Sequence, residues 1–62
     1  MKVYRVKKQF NGYKRGTLFY MISESEFIGI KEFVLRTEDL TTRIMINESE
    51  FLSHFMFIKE VF

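Results

Sequence analysis

The chain has 62 residues, 47% of them hydrophobic and 18% aromatic, with no Cys, no Pro and a formal net charge of +2. That length holds one domain with a marginal core, which without Cys has neither disulfides nor thiolate-metal sites to reinforce it. A single His leaves a structural zinc without a ligand set, and so apolar a chain with so little net charge is not disordered.

The basic start, Met1 to Arg5, is not followed by the run of roughly 7–15 apolar residues that a secretory signal needs. The longest apolar stretch, Leu18 to Ile22, falls far short of the ~20 residues that span a bilayer. A cytoplasmic protein that does not enter the membrane is expected.

Residues 2–8 alternate, with Tyr4, Val6 and then Phe10 on one face, and predict a first strand. Asn11-Gly12 is the strongest turn dipeptide, because both residues tolerate positive φ. Lys14-Arg15-Gly16 then postpones the next strand, which predicts an irregular loop rather than a two-residue hairpin. Residues 17–23 form the second strand. Leu18 to Ile22 are apolar on both faces, so this strand is covered on two sides or bent between two sheets.

Glu24-Ser25-Glu26 reads as the polar break that ends it. Phe27 to Ile30 and Phe33 to Thr37 differ in phase across Lys31-Glu32, which predicts a bulge or a long loop ending near Lys31. Glu38 to Thr41 is a turn, and residues 42–46 form a strand with Thr42, Ile44 and Ile46 on one face. Asn47-Glu48-Ser49-Glu50 has the form of a capping box, opening a helical turn whose inner face is Phe51, Leu52 and Phe55. Residues 56–62 close the chain as a last strand.

This order is all-β: a five-stranded, small, partly open barrel with one short helical turn before the last strand. It resembles the Src-homology-3-like barrels, in which such a turn separates the fourth and fifth strands. Lys14-Arg15-Gly16-Thr17, leading into the apolar second strand, is similar to the diverging turn of that fold. More loosely, the chain resembles small uncharacterised proteins of Gram-positive bacteria and their phages, which implies an accessory that modulates a host factor. Peptide-binding members of the barrel family carry an acidic long loop, a Trp and a Pro near the helical turn. Here Trp and Pro are absent and the long loop is basic, so the resemblance does not extend to proline-rich ligands.

Residues able to carry chemistry are few. Ser53 and His54 are adjacent and would point about 100° apart on a helical turn, so they make a poor nucleophile–base pair. The paired carboxylates Glu24/Glu26, Glu38/Asp39 and Glu48/Glu50 read as solvated turns and a capping box. Gly12 to Thr17 lacks the spacing of a phosphate loop. The expectation is a protein without catalytic residues, cofactor or metal.

Charge is more informative. Residues 2–16 carry six basic residues and no acid, whereas residues 24–50 carry seven acids against Lys31, Arg36 and Arg43. Lys7, Lys8, Lys14 and Arg15, with Tyr13 beside them, make a basic pole suited to an acidic protein surface or to phosphates and a stacked base. Eleven aromatics and four Met exceed what one small barrel holds easily, and Tyr20, Met45, Phe57 and Phe62 are expected at the surface. Leu18, Tyr20 and Ile22 are candidates for self-association into a homodimer. The function expected is non-enzymatic binding of a protein partner, and nucleic-acid binding through the basic pole is the second reading.

Overall fold

A computed structural model describes residues 1–61. Its elements are β1 (Lys2–Val6), β2 (Leu18–Phe27), β3 (Ile30–Thr37), β4 (Arg43–Asn47), the helix α1 (Glu48–His54) and β5 (Phe55–Glu60). The strands form one antiparallel sheet in the order β4-β3-β2-β1-β5. The edge strands β4 and β5 do not pair, so the barrel stays partly open, and α1 packs against both of them and β3.

One face of the sheet is apolar because residues directly opposite each other across neighbouring strands share a side. Val6, Phe10, Phe19, Phe33, Leu35, Ile46, Phe51 and Phe55 form one buried cluster, with Tyr4, Tyr13, Met21 and Ile44 packed on it. Phe51 is its hub, stacked on Phe33 at 4.3 Å and edge-on to Tyr4 at 4.8 Å. The buried side chains are all apolar.

The capping box forms as its sequence requires. Asn47 Oδ1 accepts from the Glu50 amide at 2.8 Å, and Glu50 Oε1 accepts from the Asn47 amide at 3.4 Å. Phe51 and Phe55 turn inward, but Leu52 is 61% exposed. A helix only seven residues long presents one narrow stripe, and a residue 100° from Phe51 falls outside it.

The second strand differs most from expectation. β2 does not end at Glu24-Ser25-Glu26, which continue in register opposite Phe33, Glu32 and Lys31. All three side chains are exposed, Glu24 at the border of the core beside Phe33 and the other two beyond it, so their polarity marks the end of burial rather than the end of the strand. The hairpin closes on Ile28 and Gly29, with φ of +52° and +76°, the signs a type I′ turn requires. Nor does a phase change occur at Lys31-Glu32. The extra residue is Ile22, between the pairs Met21–Leu35 and Ser23–Val34, while a second bulge leaves Ile58 over in β5. Bulges bend strands and add twist, which helps a five-stranded sheet curl.

Part of the first loop is more regular than its sequence implies. Asn11 and Gly12, both with positive φ, make a tight turn closed by reciprocal hydrogen bonds between Phe10 and Tyr13, at 3.1 and 2.8 Å. That turn delivers Phe10 to the core. Of the aromatics and Met expected at the surface, Met45 and Phe57 are exposed and Tyr20 is half-buried, while Phe62 lies outside the described residues.

The β3–β4 turn is held by a carboxylate. Asp39 Oδ1 accepts from the Thr37 hydroxyl at 2.7 Å, the Thr41 amide at 3.0 Å and the Thr41 hydroxyl at 2.7 Å. These bonds favour the ionised form, Thr37 most, and lower the Asp39 pKa to about 2. Since the folded value lies below the unfolded one, this contribution to stability is complete above about pH 4 and is lost as pH falls towards 2. NMR titration of the Asp39 carboxyl should give a midpoint near 2, and Asp39→Asn should abolish the matching shift of the Thr41 amide.

Candidate functional site

The basic loop joins β1 to β2. Gly16 donates to the Val6 carbonyl at 2.8 Å and Val6 to the Thr17 carbonyl at 2.9 Å, which folds Lys14 and Arg15 back beside the end of β1. Thr17 caps this turn through its amide and hydroxyl, both donating to the Lys14 carbonyl. Lys7, Lys8, Lys14 and Arg15 are all exposed. Tyr13 belongs partly to the core, with its ring edge-on to Phe19 at 5.0 Å.

His54 ends α1 half-buried, with Nδ1 3.1 Å from the Lys8 carbonyl and its ring 4.8 Å from Phe10. In the tautomer that donates from Nδ1, it pins the basic loop to the helix. Ser53 beside it is exposed. A shallow concavity of about 440 Å³ lies under the loop, between Tyr13, Gly16 and Leu18 on one side and Glu38 and Asp39 on the other. Thr17 and Thr37 complete its lining, with their hydroxyls donating to the Lys14 carbonyl and to Asp39. Among the described residues no group of three or more His, Asp or Glu could hold a metal ion, and no helix is long and apolar enough to cross a membrane.

Leu18 and Tyr20 lie half-buried on the sheet face opposite the core, and Ile22 is the bulged residue, 43% exposed. They follow one another along β2 but do not form a separate apolar face, since Arg5 stands opposite Leu18 and Arg36 opposite Tyr20.

The most exposed apolar group is the segment that the sequence reading placed before a bulge, or in a long loop ending near Lys31. Phe27, Ile28 and Ile30, at the tip of the β2–β3 hairpin, are 77%, 83% and 65% exposed. Every residue of β2 from Ser23 onward is exposed, and β3 pairs with β4 only as far as Glu32, so beyond Ser25 and Glu32 the hairpin continues as two strands alone. Lys31 ties the arm to α1 through Glu48, at 3.7 Å. Glu26, opposite Lys31, lies next to the tip, and Glu24 and Glu32 lie further down the same two strands. The signal was present in the sequence as Phe27-Ile28-Gly29-Ile30 between charged residues, but reading it required a turn with Ile in a left-handed conformation.

Searches of protein-family models, of curated proteins and of solved structures find no match to the chain.

Proposed function

We propose that the chain is a non-enzymatic protein-binding module whose contact point is the tip of the β2–β3 hairpin. The observation that carries this reading is the exposure of three large apolar side chains on one projecting turn. Folding gains nothing from leaving Phe27, Ile28 and Ile30 in water, whereas enclosing side chains of this size gives about 1.5–3 kcal/mol each. Exposed apolar groups on such a scale mark interaction sites.

The surroundings of the tip indicate the partner's chemistry. Glu24, Glu26 and Glu32 would be repelled by an anionic lipid surface and attracted to a rim of Lys or Arg. The complementary surface is therefore an apolar pocket in a protein, with a basic edge. Lys7, Lys8, Lys14 and Arg15 enter β2 at its other end and add a second, positive contact region for a large or acidic partner.

The test compares partners retained by wild type, by Phe27→Ser/Ile30→Ser and by Lys14→Glu/Arg15→Glu, with bound proteins identified by mass spectrometry. The tip variant should lose the specific partner while melting at the wild-type temperature, and charge reversal should slow association without abolishing it. A partner held equally by all three proteins would remove the tip from the reading. Sedimentation addresses the homodimer: a dimer at micromolar concentration that Phe27→Ser/Ile30→Ser dissociates would make a second copy the occupant.

A further inference from the structure

The outer face of the sheet, opposite the core, carries a second and independent arrangement. Register places Lys59, Val3, Tyr20, Arg36 and Arg43 in one row across all five strands, since Val3 pairs with both Lys59 and Tyr20, Tyr20 with Arg36, and Arg36 with Arg43. The next row is Met56, Arg5 and Leu18. Four cations thus surround one tyrosine. Neither ion pair among the described residues uses any of them: Glu60, next to Lys59, pairs with the N-terminus, and Glu38 and Asp39 lie in the turn beyond β3.

Two features of this face call for an anion. Arg36 and Arg43 stand directly opposite on neighbouring strands, where Cβ atoms are ~4.5–5.5 Å apart and like charges destabilise the pair. A shared phosphate between them would reverse the sign of that interaction. In addition, Arg5 Nε is buried without a hydrogen-bond partner, while its terminal nitrogen has only the Met56 sulfur, at 3.0 Å. Arginine placed so, without a carboxylate, is short of acceptors.

The rest of the face determines which anion fits. Tyr20 is half-buried at the centre of the cation row, with Leu18 in the row on one side and Val34 and Met45 in the row on the other, so aromatic and apolar surface lies beside the positive charge. An unpaired base has such a face to offer, and a duplex keeps its base faces stacked on each other. A sheet face also enters a duplex groove less readily than a helix does. We infer that the outer sheet face binds single-stranded nucleic acid, with a base stacked on Tyr20 and phosphates held by Arg36, Arg43 and Arg5. This site is separate from the hairpin tip and from the basic loop.

Fluorescence anisotropy with a labelled mixed-sequence single strand of about 12 nucleotides, beside the matching duplex, tests the inference. The single strand should bind more tightly, and two phosphates, one shared by Arg36 and Arg43 and one at Arg5, should give a slope of log affinity against log salt of about −1.4. Arg36→Gln/Arg43→Gln should reduce that slope by about 0.7, by the same rule. Tyr20→Leu keeps an apolar residue but removes the stacking platform, and should weaken binding roughly ten-fold. Circular dichroism melts confirm that each variant is folded, and Phe27→Ser/Ile30→Ser should bind the strand like wild type.

Three outcomes would overturn the inference: no single-strand binding at roughly 0.05 M salt, where the electrostatic term is strong; equal binding of duplex, lost only with Lys14→Glu/Arg15→Glu, which would assign it to the loop; and competition by polyglutamate as effective as by the unlabelled strand, which would make the face an acceptor for acidic protein.

Discussion

Phe51→Ala is expected to lower stability by about 3–5 kcal/mol, close to all that a domain of this size possesses. Phe51 is 8% exposed and lies among three other rings, Phe33 at 4.3 Å, Tyr4 at 4.8 Å and Phe55 at 6.0 Å. Truncation leaves a cavity that rigid rings on three sides cannot collapse into. It also removes the contact that makes α1 a helix, because seven residues do not hold helical structure in water alone. The neighbouring change Leu52→Ala is the control. Leu52 is 61% exposed, and Leu and Ala differ little in helix propensity, so its effect should stay within about 0.5 kcal/mol. Urea titration followed by tyrosine fluorescence and circular dichroism separates the two. A Phe51→Ala protein unfolding near the wild-type midpoint would mean that α1 does not close the barrel.

The contrast between Phe51 and Leu52 shows where sequence is legible in this chain and where it is not. The i, i+4 spacing of Phe51 and Phe55 behind a capping box required a helical turn facing inward, and both rings are buried. Leu52 satisfied the same apolar criterion but lay 100° away, and only the packed partner shows how wide the buried stripe is. Residues 18–22 were correctly read as strand for a related reason: a short, wholly apolar run with two aromatics and an Ile, set between polar segments, suits a strand. Glu24-Ser25-Glu26 failed because polarity reports solvation, not conformation. Backbone pairing with β3 carries the strand onward where no side chain is buried.

The candidate sites follow the same division. Lys7, Lys8, Lys14 and Arg15 were visible as a charge run because one loop supplies them all. The cations of the outer sheet face come from β1, β3, β4 and β5, so no window of sequence contains them, and only register brings them around Tyr20. Arg36 and Arg43 are even hidden inside the segment that sequence marks as acidic. The hairpin tip was hidden for a different reason. Its apolar residues read as a segment leading to a bulge or loop near Lys31, and a β-branched residue such as Ile28 gives no turn signal because it avoids positive φ.

That turn supports the last prediction. Ile28 holds φ +52°, in the left-handed region that costs an L residue with a Cβ roughly 1–2 kcal/mol. At 83% exposure its side chain makes little compensating contact within the chain. Ile28→Asn should therefore stabilise the fold by about 1 kcal/mol, since Asn tolerates this conformation and Asn-Gly is the preferred type I′ pair. For a domain of this length that corresponds to a rise of about 4–8 °C in melting temperature. The same change removes the most exposed apolar side chain of the tip. Stability and partner binding should thus move in opposite directions, which is how strain held at a contact site differs from an indifferent turn. Thermal melts of Ile28→Asn and Ile28→Val decide the structural half, because Val keeps the branch and should gain nothing. A lower melting temperature for Ile28→Asn would show that the isoleucine side chain packs within the hairpin, and would remove strain from the account. A higher one with partner binding intact would leave the turn strained but without a part in recognition.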